Sequence, residues 1–246
     1  MNPQISVTIL AKNSSKTLGA TLDSLQKFPE VLVLDTGSND ATLAIAKKYP
    51  NVRIYERKFL GFGKTHNMAA SLTRFDWILS IDSDEVLSEA LADEILHLTL
   101  HPKSVYSLDR HNYFQGKRMK CCSGWYPDWI IRLYHRGSTQ FTEDFVHEKI
   151  VSASMSIKRL QGALYHTPYL SMDDFIAKMQ LYTSLVAEQN RGKPSSLKKA
   201  IGHGLAAFFK NYVLKRGFLG GKEGFVISLY NAHTAYYKYL KLSCQK

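Results

Sequence analysis

Residues 5–100 alternate short, β-branched apolar runs with helical segments, and this alternation restricts the fold more than any other feature of the sequence. The predicted strands are residues 5–12, 30–35, 51–56 and 77–81, and the first segment between them carries Leu18, Leu22 and Leu25 at helical spacing. Strands and helices that alternate in this way form βαβ units with a mostly parallel sheet and right-handed crossovers. The sequence therefore predicts an α/β fold over its first hundred residues.

Polar and acidic residues follow three of these strands at the point where each strand ends. Residues 12–13 follow the first strand, Asp35 ends the second, and the acidic cluster of residues 82–85 follows the fourth. Ligands of open α/β sheets bind beyond the carboxyl ends of the strands. We therefore expect these separate pieces of sequence to form one site.

The acidic cluster needs a positive charge, because carboxylates so close together repel one another. Asp82 and Asp84 are one residue apart at the end of an apolar strand, and their hard oxygen ligands suit Mg²⁺ or Mn²⁺. Such ions complete their shells with water and substrate phosphates, so a metal with a diphosphate is the expected counter-charge. The alternative is a solvated loop in which the acids begin a helix.

A second stretch, "LDTGSNDAT" at residues 34–42, strengthens the functional interpretation. Asp35 leaves a strand, Gly37 permits a tight turn and Asp40 precedes a helix, although an ordinary capped turn has the same pattern. Together with the D-x-D of residues 82–84, this stretch resembles the inverting family 2 glycosyltransferases of the A-type fold. The resemblance implies a Rossmann-like, mostly parallel sheet flanked by helices, with a C-terminal helical appendage, and a UDP-sugar donor.

The resemblance also assigns roles to individual residues. Asp35 is expected to contact the uracil, and the first βα turn, with Ala11 and Asn13, to lie along the nucleoside. Asp82 is expected to hold the ribose and to share the metal with Asp84.

The second half of the chain narrows the resemblance. "GWYPDWIIRLYHRG", "FVHEKI", "LQGALYHTPY" and "KRGFLGGKEGF" are similar to stretches of bacterial lipopolysaccharide inner-core glycosyltransferases, in particular the β-1,4-glucosyltransferases that act on the first heptose. This similarity implies metal-dependent, inverting transfer of a hexose, glucose from UDP-glucose, to a heptose of the inner core. Another UDP-sugar or another lipid-linked acceptor remains the alternative within the family.

The acceptor hydroxyl needs a base, because a sugar hydroxyl is a poor nucleophile. Many family 2 enzymes carry an E-D pair there, and here both Glu143–Asp144 and His147–Glu148 lie in the corresponding region. Glu148 is the first candidate and Asp144 the second. Either carboxylate could instead be a surface group paired with a neighbouring cation.

Six further side chains are candidates, and each also has an ordinary structural explanation. Arg132 could bind phosphate or pair with the base, and His166 could complete the metal shell or be structural. Lys64 and His66, at the start of a helix, could line the diphosphate or cap the helix end. The adjacent aromatics at 125 and 126 could stack on a sugar or pack in the core.

The excess positive charge lies in the C-terminal quarter. Residues 1–190 hold 21 Lys/Arg and 20 Asp/Glu, whereas residues 191–246 hold 11 Lys/Arg and one acid. From residue 171 onwards the pattern is helical. We therefore predict a catalytic domain at 1–170, with a nucleotide-sugar half (1–100) and an acceptor half (101–170), followed by a basic helical region at 171–246.

The basic region predicts an anionic surface as partner. One apolar stripe recurs every three or four residues: Leu197, Ile201, Leu205, Phe208 and Tyr212. We expect this stripe to pack inward and the lysines beside or opposite it, Lys198, Lys199 and Lys210, to face lipid head groups of the inner membrane. The alternative is a helix that serves only as scaffold. No apolar run approaches the ~18 residues of a spanning helix, and the start does not resemble a signal peptide, so a cytoplasmic enzyme peripheral on that membrane is expected.

Other classes fit the sequence less well. Phosphatases of the haloacid dehalogenase type carry their D-x-D after the first strand, where this chain has "AKN", and nucleotidyltransferases want a glycine-rich loop there. A non-enzymatic protein that binds nucleic acid or membranes is the alternative that the basic charge suggests. Nucleic acid is not the expected partner, because the basic residues lie in helices with an apolar stripe. The three cysteines form neither a disulfide framework nor a zinc motif.

Overall fold

The computed structural model describes residues 4–144 and 148–245. The chain divides into two compact units. The first comprises Met1–Arg110 and Trp129–His166, and the second comprises His111–Asp128 and Thr167–Lys246. Residues 111–128 were expected in the acceptor half. They cluster instead with the C-terminal helices.

The first unit begins with the parallel half of a sheet. Its elements are β1 (Ile5–Ala11), α1 (Leu18–Asp23), β2 (Glu30–Asp35), α2 (Thr42–Ala46), β3 (Val52–Glu56), α3 (Phe62–Ser71) and β4 (Trp77–Asp82). The strands lie in the order β3-β2-β1-β4, and each neighbouring pair is parallel. The predicted alternation of strands and helices is confirmed.

An antiparallel half extends this sheet. It contains β5 (Glu85–Leu87), α4 (Glu89–Leu96), β6 (Ser104–Phe114), β7 (Lys117–Arg118), β8 (Trp129–His135) and β9 (Ser156–His166). Strand β8 pairs antiparallel with both β4 and β6, β7 pairs with the end of β6, and β9 follows β6 and pairs antiparallel with β5. The acidic cluster therefore leads into a short strand at the far end of the sheet, and not into a helix, because β9 offers β5 a partner.

The core of the first unit surrounds β1 and β2, which are buried on both faces as parallel strands require. Leu18, Leu22 and Leu25 are at most 1% exposed and pack against these strands. Their helical spacing in the sequence therefore corresponds to a buried face. Helix α4 lies close on β9, because a Cβ added at Gly162 would come within 2.4 Å of the Leu91 backbone. The core therefore holds the strand ends rigidly in place.

The second unit is mostly helical. It contains α5 (Met172–Gln189), α6 (Leu197–Phe209), a π-helical turn (Lys210–Leu214), a 3-10 turn (Gly217–Gly220) and α7 (Gly221–Cys244). Helix α6 packs on α7 through small residues: Ala200 and Gly204 are buried, and a Cβ at Gly204 would lie 3.2 Å from the Cβ of Tyr236. No helix in the described part of the chain is long and apolar enough to span a membrane.

The expectation that the α6 stripe packs inward is wrong. Leu197, Ile201 and Leu205 are 54%, 45% and 68% exposed. The small residues let the two helix backbones approach closely, and this contact leaves the bulky side chains outside. The stripe is therefore a surface of the second unit and not its interior.

Candidate functional site

The register of the parallel strands brings the predicted site residues to one edge of the sheet. Ala11, the last residue of β1, pairs with Asp35 at the end of β2, and Leu10 pairs with Asp82 at the end of β4. Because the three strands run in the same direction, their following turns emerge side by side.

The turn after β2 is organised by the carboxylate of Asp35. Its Oδ2 accepts hydrogen bonds from the backbone N–H groups of Gly37 and Ser38, both at 2.9 Å, and its Oδ1 accepts one from the Ser38 hydroxyl at 2.5 Å. Gly37 has φ +105°, a conformation that favours glycine. Asp35 is only 1% exposed, so its carboxylate shapes the turn and is held in one orientation.

The turns after β1 and β2 are bound to each other. Asn13, with φ +52°, donates its backbone N–H to Ser38 at 2.8 Å and accepts the Asn39 N–H on Oδ1 at 2.9 Å. Asp40 accepts the Ser15 N–H at 3.1 Å, and hydrogen bonds from Ser15 and Thr42 hold the pKa of Asp40 well below its usual range. The two turns thus form one preorganised surface beside the strand ends.

The acidic cluster carries its own cations. Arg132 Nη2 lies 2.5 Å from Asp82 Oδ2 and 3.2 Å from Glu85 Oε1, and Arg110 Nη1 lies 3.0 Å from the same Glu85 oxygen. The Asp82 N–H donates to Glu85 Oε2 at 3.0 Å. Two arginines therefore balance Asp82 and the fully buried Glu85, and the expected counter-charge of a metal and a diphosphate stays a prediction for Asp84.

Asp82 and Arg132 each stabilise the charged form of the other. Burial by itself would raise the pKa of Asp82, but the Arg132 guanidinium holds that pKa well below its usual range. Burial would likewise lower the pKa of Arg132, but Asp82 and Glu85 raise it. Both side chains therefore stay ionised across the range in which an enzyme works.

Asp84 and His166 form a second pair at this edge. Strand pairing sets Glu85 opposite His166, which brings His166 Nε2 to 3.6 Å from Asp84 Oδ2. The two side chains are 26% and 12% exposed. The two side chains therefore lie close together, and both are partly accessible to a ligand.

The predicted metal set is brought together only in part. Asp82 is turned towards Arg132, and no group of three or more His, Cys, Asp or Glu residues arranged to hold a metal occurs among residues 4–144 and 148–245. The chemistry of Asp84 and His166, one carboxylate and one imidazole, still fits an ion that takes its remaining ligands from water and phosphate.

Glu148 lies beside a buried histidine. Its Oε1 is 4.0 Å from His66 Nε2, and the Glu148 side chain is only 18% exposed. His66 is 2% exposed, contacts the Ser80 hydroxyl through Nδ1 at 3.2 Å and stacks on Phe141 with ring centroids 4.5 Å apart. Burial lowers the pKa of His66 to about 4, against the opposing charge of Asp82, so the imidazole is neutral at pH 7.

The other base candidate is placed differently. Asp144 is exposed, and its backbone carbonyl accepts the Gly63 N–H at 3.2 Å. Lys64 pairs at 3.5 Å with Glu143, and both side chains are more than half exposed. His147 lies outside the described residues. Of the two base candidates, Glu148 is therefore more enclosed than Asp144.

Sequence reasoning named Glu85 only as part of the acidic cluster and missed Arg110, which pairs with it at 3.0 Å. Arg110 carries no local signal, because it lies in the polar run "DRHN" and its partner is distant in sequence. Trp125, in the second unit, is 7% exposed and packs edge-on against Phe114, which favours the core alternative, whereas Tyr126 is 43% exposed.

The comparison with protein families decides the identity of the chain. The family model described as glycosyl transferase family 2 matches residues 6–158, which include both turns, the D-x-D and Glu148. The chain belongs to glycosyltransferase family 2. It is therefore an enzyme, and the predicted A-type α/β fold is confirmed.

Relatives of this family 2 enzyme match it over nearly its whole length. An uncharacterized glycosyltransferase of Rickettsia conorii is 29% identical, covering 98% of this chain and 90% of its own. The lipopolysaccharide core biosynthesis glycosyltransferase LpsC of Rhizobium meliloti is 26% identical, covering 94% and 90%. A crystal structure of S. aureus TarS has a similar fold, with a TM-score of 0.50 and 21% identity over 95% of this chain and 49% of that chain.

Proposed function

We propose that this family 2 enzyme transfers a hexose from a UDP-sugar, glucose from UDP-glucose, to a heptose of the lipopolysaccharide inner core, with inversion and with a divalent metal. The observation that carries the proposal is the convergence at one sheet edge of the Asp35 turn and the Asp84–His166 pair, with Glu148 linked to that edge through His66. Each group matches one requirement of the reaction.

The nucleoside binds along the joined turns after β1 and β2. Asp35 is fixed by three hydrogen bonds from its own turn, and Asn13 is fixed by two. Groups held in this way lose little entropy when a ligand binds. The resemblance of residues 34–42 to the family's nucleotide-binding turn supports uracil as the base, and that of the D-x-D at residues 82–84 supports Asp82 as the ribose contact.

The diphosphate binds where Asp84 and His166 meet. These two residues would hold Mg²⁺ or Mn²⁺, and the ion would supply positive charge to offset that of the departing diphosphate. Arg132 is engaged by Asp82 and Glu85, so it contributes positive field at this edge and keeps Asp82 ionised.

Glu148 acts as the base. The acceptor hydroxyl attacks C1 of the sugar from the face opposite the diphosphate, its proton passes to the Glu148 carboxylate, and UDP leaves with the electrons of the broken C–O bond. A positioned base contributes typically ~10²–10⁴-fold to the rate. The neutral His66 beside Glu148 adds no positive charge that would make the carboxylate a weaker base.

The acceptor is proposed from two observations. The second-half stretches resemble inner-core enzymes that act on the first heptose. LpsC, a lipopolysaccharide core biosynthesis glycosyltransferase, aligns with almost the whole chain.

The test is transfer across a panel of UDP-glucose, UDP-galactose and UDP-N-acetylglucosamine, with Mg²⁺ or Mn²⁺ and with a heptose-containing core acceptor. We expect transfer from UDP-glucose only with metal and acceptor present, and a β-linked product. An α-linked product would exclude single-displacement inversion. Preference for another UDP-sugar or another lipid-linked acceptor would replace the substrate while keeping the chemistry.

The role of Glu148 is tested by Glu148→Gln, with Asp144→Asn as the matched variant. Glu148→Gln should lower kcat by about 10²-fold or more at unchanged UDP affinity, because shape is kept and the proton acceptor is lost. A loss in Asp144→Asn alone would make Asp144 the base. No loss in either variant would refute the acceptor-side arrangement.

A further inference from the structure

The second unit carries an exposed apolar surface, here called the apolar face. Its members come from α6, the π-helical turn, the 3-10 turn and α7: Ile201, Leu205, Phe218, Phe225 and Leu229 are exposed, and Phe208 and Tyr212 are half-buried between them. Ile201, Leu205 and Phe218 are 45%, 68% and 50% exposed, and Phe225 and Leu229 are 45% and 38% exposed. Single exposed apolar residues are ordinary, but a continuous group of them marks an interaction site.

The apolar face is continuous. Phe225 of α7 contacts both Phe208 and Tyr212, with ring centroids 5.9 Å and 5.7 Å apart, and Tyr212 contacts Phe218 at 6.3 Å. On the other side, a groove of about 260 Å³ between α6 and α7 joins Ile201 and Leu205 to Leu229. The consecutive segments α6, π-helical turn, 3-10 turn and α7 thus form one apolar surface.

Basic residues accompany this face. Lys198, Lys210 and Lys222 fall within the segments that form it, and Lys215 and Arg216 join the π-helical turn to the 3-10 turn. The single acid of residues 191–246, Glu223, lies 2.9 Å from the ammonium of Lys117 and is thereby neutralised. The stretch of chain that carries the apolar face therefore has almost only cationic charges.

We propose that the apolar face inserts into the interfacial layer of an anionic phospholipid bilayer, with the neighbouring lysines and arginine on the lipid head groups. Apolar residues beside a cationic rim are the composition of surfaces that lie in such an interface without spanning it. This arrangement differs from the one expected from sequence, in which only the basic side met lipid and the stripe packed inward. The proposal is independent of the donor and acceptor assigned above.

Charge argues for a bilayer over a second copy of the chain. Residues 191–246 carry eleven Lys/Arg and one acid, so two copies joined through this face would bring like charges together. Anionic lipids remove that repulsion and provide an apolar layer at the same surface. The two contributions respond differently to salt, because exposed charges are screened and apolar insertion is not.

The test is sedimentation of the full chain with vesicles of phosphatidylcholine alone or mixed with phosphatidylglycerol, at about 0.05 M and about 0.5 M salt. The wild-type chain should bind the anionic vesicles, more weakly at high salt. A Leu205→Ser, Phe218→Ser variant should lose about tenfold or more in partitioning at both salt concentrations. A Lys210→Gln, Lys215→Gln, Lys222→Gln variant should lose binding mainly at low salt.

The matched control is Ile157→Ser, which changes an apolar side chain of similar exposure, 54%, on β9 in the first unit. It should bind as the wild type does. A Phe218→Trp reporter should shift its emission to the blue on anionic vesicles and be quenched by brominated acyl chains.

Three results would overturn the proposal: equal binding to neutral and anionic vesicles, unchanged binding of the Leu205→Ser, Phe218→Ser variant, or self-association that this variant abolishes in the absence of lipid. All readouts are binding measurements, so they stand or fall separately from the proposed reaction.

Discussion

Replacing Arg132 with methionine removes the guanidinium that joins Asp82 to Glu85. Methionine keeps much of the length and volume of the side chain, so the change is chiefly one of charge. Glu85 is fully buried, and after the substitution its carboxylate keeps Arg110 as a cation at 3.0 Å. Asp82 loses its contact at 2.5 Å.

The loss in free energy of unfolding depends on the contacts that Asp82 and Glu85 keep after the substitution. Removing one partner of a buried ion pair costs about 3–5 kcal/mol. We expect the low end, about 3 kcal/mol, for two reasons. Arg110 still serves Glu85, and the side chain of Asp82 is 37% exposed and regains water. For a chain of this size, that loss corresponds to a fall in Tm of roughly 6–12 °C.

The assay is thermal and denaturant unfolding of both the single variant and the double variant Arg132→Met, Glu85→Gln. The double variant should recover no stability, because Glu85 still has Arg110 and its replacement leaves that arginine without this carboxylate. Arg191→Met is the control, since Arg191 is 62% exposed and pairs with Glu188 at the surface, a pair worth about 0.5 kcal/mol or less. If Arg132→Met melts within about 2 °C of the wild type, as the control should, the ion-pair reasoning is refuted.

Three further predictions concern pH, backbone and metal. Because burial lowers the pKa of His66 to about 4, the folded chain takes up its proton later than the unfolded chain as pH falls, and about 3 kcal/mol of stability should be lost between about pH 6.5 and about pH 4. His66→Gln should remove that slope from denaturation measured against pH, and an unchanged slope would assign it to other groups. In Gly63→Ala a Cβ would lie 1.8 Å from the Thr142 carbonyl oxygen, so the backbone at Thr142 must move. Because a 1 Å misplacement can cost ~10²-fold, kcat should fall about tenfold or more. Gly202→Ala, in which the added Cβ meets nothing within 4 Å, is the control and should keep full activity. Asp84→Ala should abolish metal-dependent transfer with Tm nearly unchanged, and full activity in excess chelator would contradict the metal assignment.

The regular elements were predictable because their signals are local. The run "ISVTIL" is rich in apolar and β-branched residues, and its Ser6 and Thr8 are buried with their apolar neighbours because both faces of β1 are covered. Leu18, Leu22 and Leu25 recur at helical spacing because one side of that segment meets the sheet. The position of Asp35 and of residues 82–85 at strand ends was likewise readable, since parallel strands deliver their carboxyl ends to one edge. The short strand β5 was not predicted, because three residues carry no period and their pairing depends on β9.

The partners of charged groups were decided only by the tertiary structure. Asp82 and Glu85 could have been balanced by any cation, and the antiparallel pairing of β8 with β4 and β6 set Arg132 and Arg110 against them.

The outward direction of the α6 stripe was decided in the same way. The sequence by itself determined that residues 197–212 form an amphipathic, basic helical segment. It did not determine which side of that segment packs, because Ala200 and Gly204 also recur at helical spacing and allow a closer approach of α7 than the leucines do. Helical periodicity can be read from one segment alone, but which of its sides is buried depends on the surface of the element that packs against it.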